Sequence, residues 1–164
     1  MNTFKDATTE EINAIMEQSW NAFETYRTFS LQQRAGFMHA IATALGSISE
    51  AVVAAAMKET HLPEPRLNNE LTRTIFQLNS YADACKQGNW IEARIDTAIT
   101  ERNPSKPDLR KMLVPLGPVV VFGASNFPFA YSTAGGDTAC ALAAGCPVIV
   151  KAHPAHAQTS QMAS

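Results

Sequence analysis

Three polar side chains stand just after two short apolar runs in the second half of the chain, and their types and positions could do chemistry. Asn126 follows the run 118–122, and Lys151 and His153 follow the run 146–150. A side-chain amide can donate a hydrogen bond to a developing oxyanion, and a lysine or imidazole cation can attract a phosphate. The alternatives are a helix-capping asparagine and an exposed lysine, both of which are common.

The two apolar runs indicate the elements that position these residues. Both are short, continuous and rich in β-branched residues, which is typical of parallel strands buried on both faces. The Ala-rich segment Pro128 to Ala144 between them predicts one helix, and Gly145 stands where a left-handed C-cap belongs. The unit is therefore a right-handed βαβ, and its ligands are expected at the carboxyl end of the first strand, at residues 123–126.

The first half of the chain predicts four helices. Three capping boxes mark helix starts at Thr8, Ser30 and Ser47, each with Glu or Gln three residues later. Apolar side chains at helical spacing predict the buried stripes: Ile12, Ile15, Met16, Ser19, Phe23 and Tyr26; Phe37, Met38, Ile41 and Leu45; Val52, Val53, Ala56 and Met57; Leu67, Leu71, Ile75, Leu78 and Ala82.

A change of period separates these helices from the βαβ unit. From Trp90 to Thr100 apolar residues alternate with charged ones, which predicts a half-exposed strand. The turn residues 103–108 and the segment Leu109 to Val114 predict its antiparallel partner. The chain is thus expected to be α/β, with a helical region 1–89, a bridging β-ribbon 90–115 and the opening βαβ of a Rossmann-like domain, incomplete, at 116–164.

Composition narrows the class of partner. The net charge is −2 and no basic run exceeds Arg110-Lys111, which argues against nucleic acid and anionic membranes. No apolar stretch reaches spanning length and the N-terminus lacks a signal-peptide pattern, so a cytoplasmic location is expected. Cys85, Cys140 and Cys146 are expected to be buried thiols, and no metal site is expected from His153 and His156 because no further ligand completes one.

The sequence of residues 116–156 resembles that of the aldehyde dehydrogenase superfamily. The pattern is Pro-Leu-Gly-Pro, an apolar strand, Ser-Asn-Phe-Pro, Ala-Leu-Ala-Ala-Gly, an apolar strand and Lys. The stretch FGASNFPFAYSTAGGDTACALAAGCPVIVKAHPAH is most similar to the branch that includes α-ketoglutaric semialdehyde (2,5-dioxovalerate) dehydrogenases. The resemblance extends back to about Ala22 and covers the N-terminal portion of such an enzyme.

The resemblance implies oxidation of an aldehyde to a carboxylate with NADP, NAD being possible. It matches Asn126 to the family's oxyanion-binding asparagine. It also implies a cofactor wall made of Phe122, Gly123, Ala124, Ser125, Lys151 and His153. Pro154 stands where the family usually has an acid that grips the ribose, and the missing carboxylate favours NADP.

The resemblance places the nucleophilic Cys, the general-base Glu and the nucleotide-loop glycines farther along than Ser164. The 164 residues alone are therefore expected to be inactive, with Val119, Val121, Val148 and Val150 partly bare. In the complete enzyme, residues 90–115 are implied to join subunits of a homo-oligomer. The alternative is a catalytically inactive truncated product that acts at most as a subunit-interaction module.

Overall fold

The computed structural model describes residues 4–164. Four helices come first, then a small ribbon, then a βαβ unit and a last short helix, so the predicted α/β class is confirmed. The elements are α1 (Thr9–Tyr26), α2 (Leu31–Ser47), α3 (Ser49–Thr60), α4 (Glu64–Gln87), β1 (Arg94–Asp96), β2 (Leu109–Lys111), β3 (Val119–Phe122), α5 (Gly136–Ala144), β4 (Val148–Lys151) and α6 (Ala157–Met162). Short 3-10 turns occupy Asn89–Ile91 and Pro154–His156.

Two of the three predicted capping boxes are confirmed. Thr8 and Ser30 each accept a hydrogen bond from the backbone of the third helical residue, and each box is reciprocal. The predicted capping box at Ser47 is wrong. Helix α2 continues through Ser47, whose hydroxyl donates to the Ala44 carbonyl oxygen at 2.7 Å instead of capping the next helix. Helix α3 starts without a side-chain cap.

The βαβ unit pairs β3 and β4 in parallel, with Val119 opposite Val148 and Phe122 opposite Lys151. The predicted C-cap is confirmed, because Gly145 has a φ of 90°. The predicted helix start at Pro128 is wrong, since α5 begins at Gly136 and residues 128–135 form turns. The reason is that carbonyl groups of this segment accept hydrogen bonds from residues other than their helical partners, which the next subsection describes.

The core crosses from the helices into the βαβ unit. One cluster joins α2, α3 and α4 to Phe129, Ala134 and Ala139, and a second joins α2 and α4 to Leu142 and Ala143. The expectation that four strand valines are partly bare is wrong for Val121, which is buried. Val119, Val148 and Val150 are half-buried.

The predicted stripe of α1 is buried at one end alone. Ser19, Phe23 and Tyr26 are buried, whereas Ile12, Ile15 and Met16 are exposed, because α1 packs against the rest through its C-terminal half. Phe37 on α2 is also exposed, contrary to the prediction. Helical periodicity identified the face correctly but not how far a neighbour covers it.

The ribbon is shorter and more exposed than predicted. β1 and β2 pair antiparallel over three residues each, and all six residues are exposed. The predicted strand from Trp90 is wrong, because residues 89–91 form a 3-10 turn and Glu92 has a positive φ of 52°. One further bridge joins Ile99 to Lys106. All six residues of β1 and β2 are exposed on both faces, so the alternation does not produce a half-buried strand.

No single helix within the described range is both long and apolar enough to cross a membrane. Helices α2 and α3 pass that test of length and composition as a pair, but a bend of 70° separates them. Both contribute buried side chains to the first core cluster, including Ala42, Leu45, Val52 and Val53.

Candidate functional site

Asn126 lies in an exposed turn just past the carboxyl end of β3. The strand is extended by Gly123, whose N–H donates to the Lys151 carbonyl oxygen at 3.1 Å. The chain then forms a loop, closed where the Ala124 N–H donates to the Tyr131 carbonyl oxygen at 2.8 Å. The capping interpretation of Asn126 is wrong, because the N-cap of the next helix is Gly135.

Helix α4 fixes this loop from beneath. The buried Glu70 carboxylate accepts hydrogen bonds from the N–H groups of Phe129 and Ala130, both at 2.9 Å. Arg66, one turn earlier, donates from Nη2 to the Asn126 carbonyl oxygen at 2.6 Å. The carbonyl groups that a helix starting at Pro128 would use have other partners, which explains the late start of α5. The Ala130 carbonyl accepts from the Gly136 N–H at 3.0 Å, and the Tyr131 carbonyl accepts from the Ala124 N–H at 2.8 Å.

The Asn126 side chain has no hydrogen-bond partner among residues 4–164. Its backbone carbonyl is held by Arg66, yet its amide makes no hydrogen bond with the described part of the chain. A side-chain amide that is exposed on a fixed backbone can donate to an oxygen of a bound molecule without first breaking an internal bond. The geometry is therefore suited to oxyanion stabilisation.

The candidate cofactor residues lie together at one sheet edge. The parallel register sets Phe122 beside Lys151, and both side chains are exposed. A Cβ added at Gly123 would lie 3.2 Å from the His153 backbone nitrogen, so glycine lets the two strand ends approach closely. Ala124 is half-buried, and Ser125 is exposed in the turn beside Asn126.

His156 is the buried polar residue that ties the two strand ends together. It is fully buried, and its Nε2–H donates to the Ala124 carbonyl oxygen at 2.7 Å. The rings of His153 and His156 stack at 5.6 Å. The His153 Nδ1 accepts from the Ala155 N–H at 3.1 Å, which caps the 3-10 turn that Pro154 opens. His156 thus acts on the fold, and half-buried His153 both stacks on it and caps the turn.

A second carboxylate anchors α6. Glu59 accepts from the N–H groups of Gln158 and Thr159 at 2.9 and 2.8 Å, and from the Thr159 hydroxyl at 2.7 Å. A carboxylate at a helix N-terminus satisfies donors that the helix itself leaves unpaired. Sequence analysis considered His156 only as an incomplete metal ligand and assigned no role to Glu59, Arg66 or Glu70. Arg66 and Glu70 stand out in the sequence only as charged residues beside the apolar stripe of α4, and this does not say what they contact.

The cysteines differ in exposure. Cys85 and Cys146 are buried, as expected, and burial raises the pKa of the Cys85 thiol. The expectation for Cys140 is wrong, because its position on α5 faces away from the core and its side chain is exposed. Residues 4–164 contain no group of three or more His, Cys, Asp or Glu side chains placed to hold a metal ion.

The fold and this site define a class. Residues 1–163 match the model of the aldehyde dehydrogenase family, and the chain belongs to that family. It is 48% identical over 160 residues to an α-ketoglutaric semialdehyde dehydrogenase 2 of Azospirillum brasilense. It is 44% identical over 160 residues to an α-ketoglutaric semialdehyde dehydrogenase of Acinetobacter baylyi. Each alignment covers 97% of this chain and 30% of the relative, so the chain spans 30% of these relatives' length.

The fold is also that of solved members of the family. A succinic semialdehyde dehydrogenase from Streptococcus pyogenes, solved with NADP+, superimposes with a TM-score of 0.77. The match covers 98% of this chain and 33% of that structure, at 14% sequence identity. At that identity the likeness concerns the fold.

Proposed function

We propose that this chain is the N-terminal portion of an NADP-linked aldehyde dehydrogenase that oxidises a short oxo-acid aldehyde, α-ketoglutaric semialdehyde, to the carboxylate. The names of two relatives at 44% and 48% identity support this substrate. The observation that carries the proposal is the Asn126 turn, in which the backbone is held by Arg66 and the side-chain amide is exposed and unbonded.

In this reaction the Asn126 amide donates to the aldehyde oxygen as that oxygen gains charge. The attacking thiolate and the general-base carboxylate belong to residues beyond Ser164, so the 164 residues alone have no turnover. When bound, the nicotinamide cofactor supplies the hydride acceptor. The division into a helical region 1–89, an oligomerisation ribbon 90–115 and a cofactor domain from 116 belongs to the same proposal.

The residues at the ends of β3 and β4 fit a cofactor that carries a 2′-phosphate. Lys151 and His153 place one cation and one imidazole at this edge, and Lys151 forms no ion pair with another described residue. Pro154 opens a 3-10 turn where an acid would repel the phosphate. We therefore prefer NADP to NAD.

The test of the catalytic role is Asn126→Ala in the complete gene product. We expect kcat to fall by about two orders of magnitude with little change in cofactor binding, because the amide acts on the developing oxyanion. The matched control is Asn69→Ala, an exposed asparagine on α4. An unchanged kcat would exclude Asn126 from the reaction.

The test of cofactor choice is Lys151→Ala together with Pro154→Glu. The first should weaken NADP more than NAD, and the second should penalise NADP by adding a like charge. Lys111→Ala, an exposed lysine on β2, serves as the control. Equal losses for both cofactors would assign Lys151 to the ribose or to the fold.

The rival function is an inactive subunit-interaction module, which the exposed apolar side chains of residues 90–115 favour. The mass of the natural protein separates the two. NADPH formation by the purified 164-residue chain with any aldehyde would contradict the proposed division of the active site.

A further inference from the structure

Two arginines on one face of α4 flank the Asn126 loop. Arg66 and Arg73 are seven residues apart, which is two helical turns and about 10 Å along the axis. The ion pairs among residues 4–164 involve neither of them. Glu70 lies between them on the same helix, so this face carries one net positive charge. An excess cation beside a candidate active site requires an explanation.

Each arginine lies over an aromatic ring of the loop. The Arg66 guanidinium carbon is 5.1 Å from the Phe127 ring centroid, and that of Arg73 is 6.0 Å from the Tyr131 centroid. The two rings meet edge to face at 5.3 Å. Arg66, Phe127, Tyr131 and Arg73 therefore form a continuous row, called here the arginine–aromatic row, which begins next to Asn126. A guanidinium stacked on a ring keeps its edge N–H groups available for a planar anion.

The local acid does not satisfy these cations. The Glu70 carboxylate is buried and accepts from the Phe129 and Ala130 N–H groups. Arg66 uses Nη2 for the Asn126 carbonyl, and its buried Nη1 has no partner among the described residues. Arg73 makes one long contact, 3.5 Å from Nη2 to the Tyr131 hydroxyl, so most of its donors remain open. Arg73 is also exposed, which makes it the accessible member of the pair.

We propose that the arginine–aromatic row is the subsite for the distal carboxylate of the substrate, with Arg73 as its principal partner. The aldehyde oxygen lies at Asn126, the carbon chain lies over Phe127 and Tyr131, and the carboxylate accepts hydrogen bonds from the Arg73 guanidinium. Arg66 adds positive potential and fixes the turn. This inference rests on the proposed function, since it assigns the part of the site that would distinguish an oxo-acid aldehyde from an uncharged one.

The experiment compares two aldehydes of equal chain length in the complete gene product, α-ketoglutaric semialdehyde and pentanal. Arg73→Met keeps the stem over Tyr131 and removes the charge. We expect kcat/KM for the oxo-acid to fall about tenfold or more, the usual cost of one charge-assisted hydrogen bond, and kcat/KM for pentanal to change less than about twofold. Arg73→Lys should recover part of the loss, because the charge remains and the planar fork does not.

The matched control is Arg27→Met. Arg27 also stacks on a ring, Phe23 at 5.2 Å, but it is paired with Glu24 and lies on the α1–α2 connection. A second readout is the inhibition constant of glutarate, an unreactive dicarboxylate of the same length. It should rise in Arg73→Met in parallel with the loss for the oxo-acid, which general damage to the fold would not produce.

The outcomes separate this subsite from the proposed function. Equal losses on both aldehydes, or no loss on either, would overturn the subsite and leave the dehydrogenase intact. If the wild type oxidises pentanal but not the oxo-acid, the proposed substrate is wrong. Glutarate inhibition then decides the subsite alone: its loss in Arg73→Met supports a carboxylate site, and its persistence overturns it.

Discussion

The crossover between β3 and β4 is held by buried polar side chains of other helices, whereas the β1–β2 ribbon exposes apolar side chains of its own. The crossover, residues 123–147, is held at both ends by polar groups from distant helices. Glu70 binds its first turns, and at the end of α5 the Tyr26 hydroxyl donates to the Leu142 carbonyl at 3.0 Å. The Cys85 thiol donates to the Ala143 carbonyl at 3.4 Å. All three of these side chains are buried.

The ribbon, by contrast, carries apolar side chains that face solvent. Ile95 is 69% exposed and Leu109 53%. Met112, Val114 and Leu116, which follow β2, are exposed as well. A buried polar group must find its partner within the chain, whereas an exposed apolar row can be covered by another surface. The crossover is therefore where single substitutions should cost stability, and the ribbon is where they should alter association.

The largest effect is expected at the start of the crossover. Glu70→Ala leaves the N–H groups of Phe129 and Ala130 buried without an acceptor, which should lower the free energy of unfolding by about 3 kcal/mol. Glu70→Gln keeps one acceptor oxygen and should lose less. Glu64→Ala removes an exposed acid from the same helix and controls for charge. Urea unfolding of the three variants measures the free energy of unfolding. Equal losses for Glu70→Ala and Glu64→Ala would show that the Glu70 carboxylate does not stabilise the loop.

The end of the crossover comes next in size. Gly145 has a φ of 90°, and a Cβ there would lie 2.5 Å from the buried Arg34 guanidinium. Gly145→Ala should therefore cost about 2 kcal/mol, because both the backbone and Arg34 must shift. Gly36→Ala has nothing within 4 Å and lies inside α2, so it should stabilise by about 0.5 to 1 kcal/mol. Thermal unfolding should show a lower melting temperature for Gly145→Ala and a higher one for Gly36→Ala. A stabilising Gly145→Ala would contradict the close contact between Gly145 and Arg34.

Gly145 also shows how much of the fold the sequence could predict. Its role as a C-cap depends on local geometry, and the same is true of the capping boxes at Thr8 and Ser30 and of the two β-branched strands. The predictions of all these features are confirmed. The predicted start of α5 was wrong because the Tyr131 carbonyl pairs with the Ala124 N–H, a contact that depends on how the loop folds back and not on the Ala-rich pattern. The predictions that the whole α1 stripe and Cys140 are buried were wrong for the same reason, since both depend on which other element packs against them.

The candidate site, too, could be predicted from the sequence only in part. The two continuous apolar runs placed Asn126, Lys151 and His153 at one sheet edge, because parallel strands end together. Their roles stay predictions. The arginines of α4 could not be assigned to that edge from sequence, because they reach it through tertiary packing across about 60 residues, from Arg66 to Asn126. A charged residue next to an apolar stripe gives no sign of what it faces.

A smaller effect, visible through pH, is expected at Tyr26. Burial raises the pKa of the Tyr26 phenol from 10.0 to about 12, partly offset by Arg34. The folded state keeps the phenol neutral while the unfolded phenol ionises near pH 10, so the free energy of unfolding should decline from pH 10 toward 12. Tyr26→Phe should cost about 1 kcal/mol near neutral pH and reduce that decline. If both proteins decline equally, Tyr26 is not the group responsible.

The smallest effect on stability is expected in the ribbon. Ile95 is exposed and opposite Arg110, so Ile95→Glu removes no buried contact and adds a cross-strand ion pair. The free energy of unfolding should change by less than about 0.5 kcal/mol. Association should respond differently, because a contact between two copies would remove the new carboxylate from water, and this desolvation opposes the contact. Sedimentation should therefore show a shift toward monomer.

Phe76→Glu is the matched control for this last measurement. Phe76 is 68% exposed, almost the same as Ile95, but lies on α4 outside residues 90–115. It should leave both stability and the association state unchanged. A large loss of stability in a monomeric Ile95→Glu sample would show that the ribbon packs within its own chain. A shift toward monomer in Phe76→Glu alone would move the contact between copies to α4, and the contrast between crossover and ribbon would no longer hold.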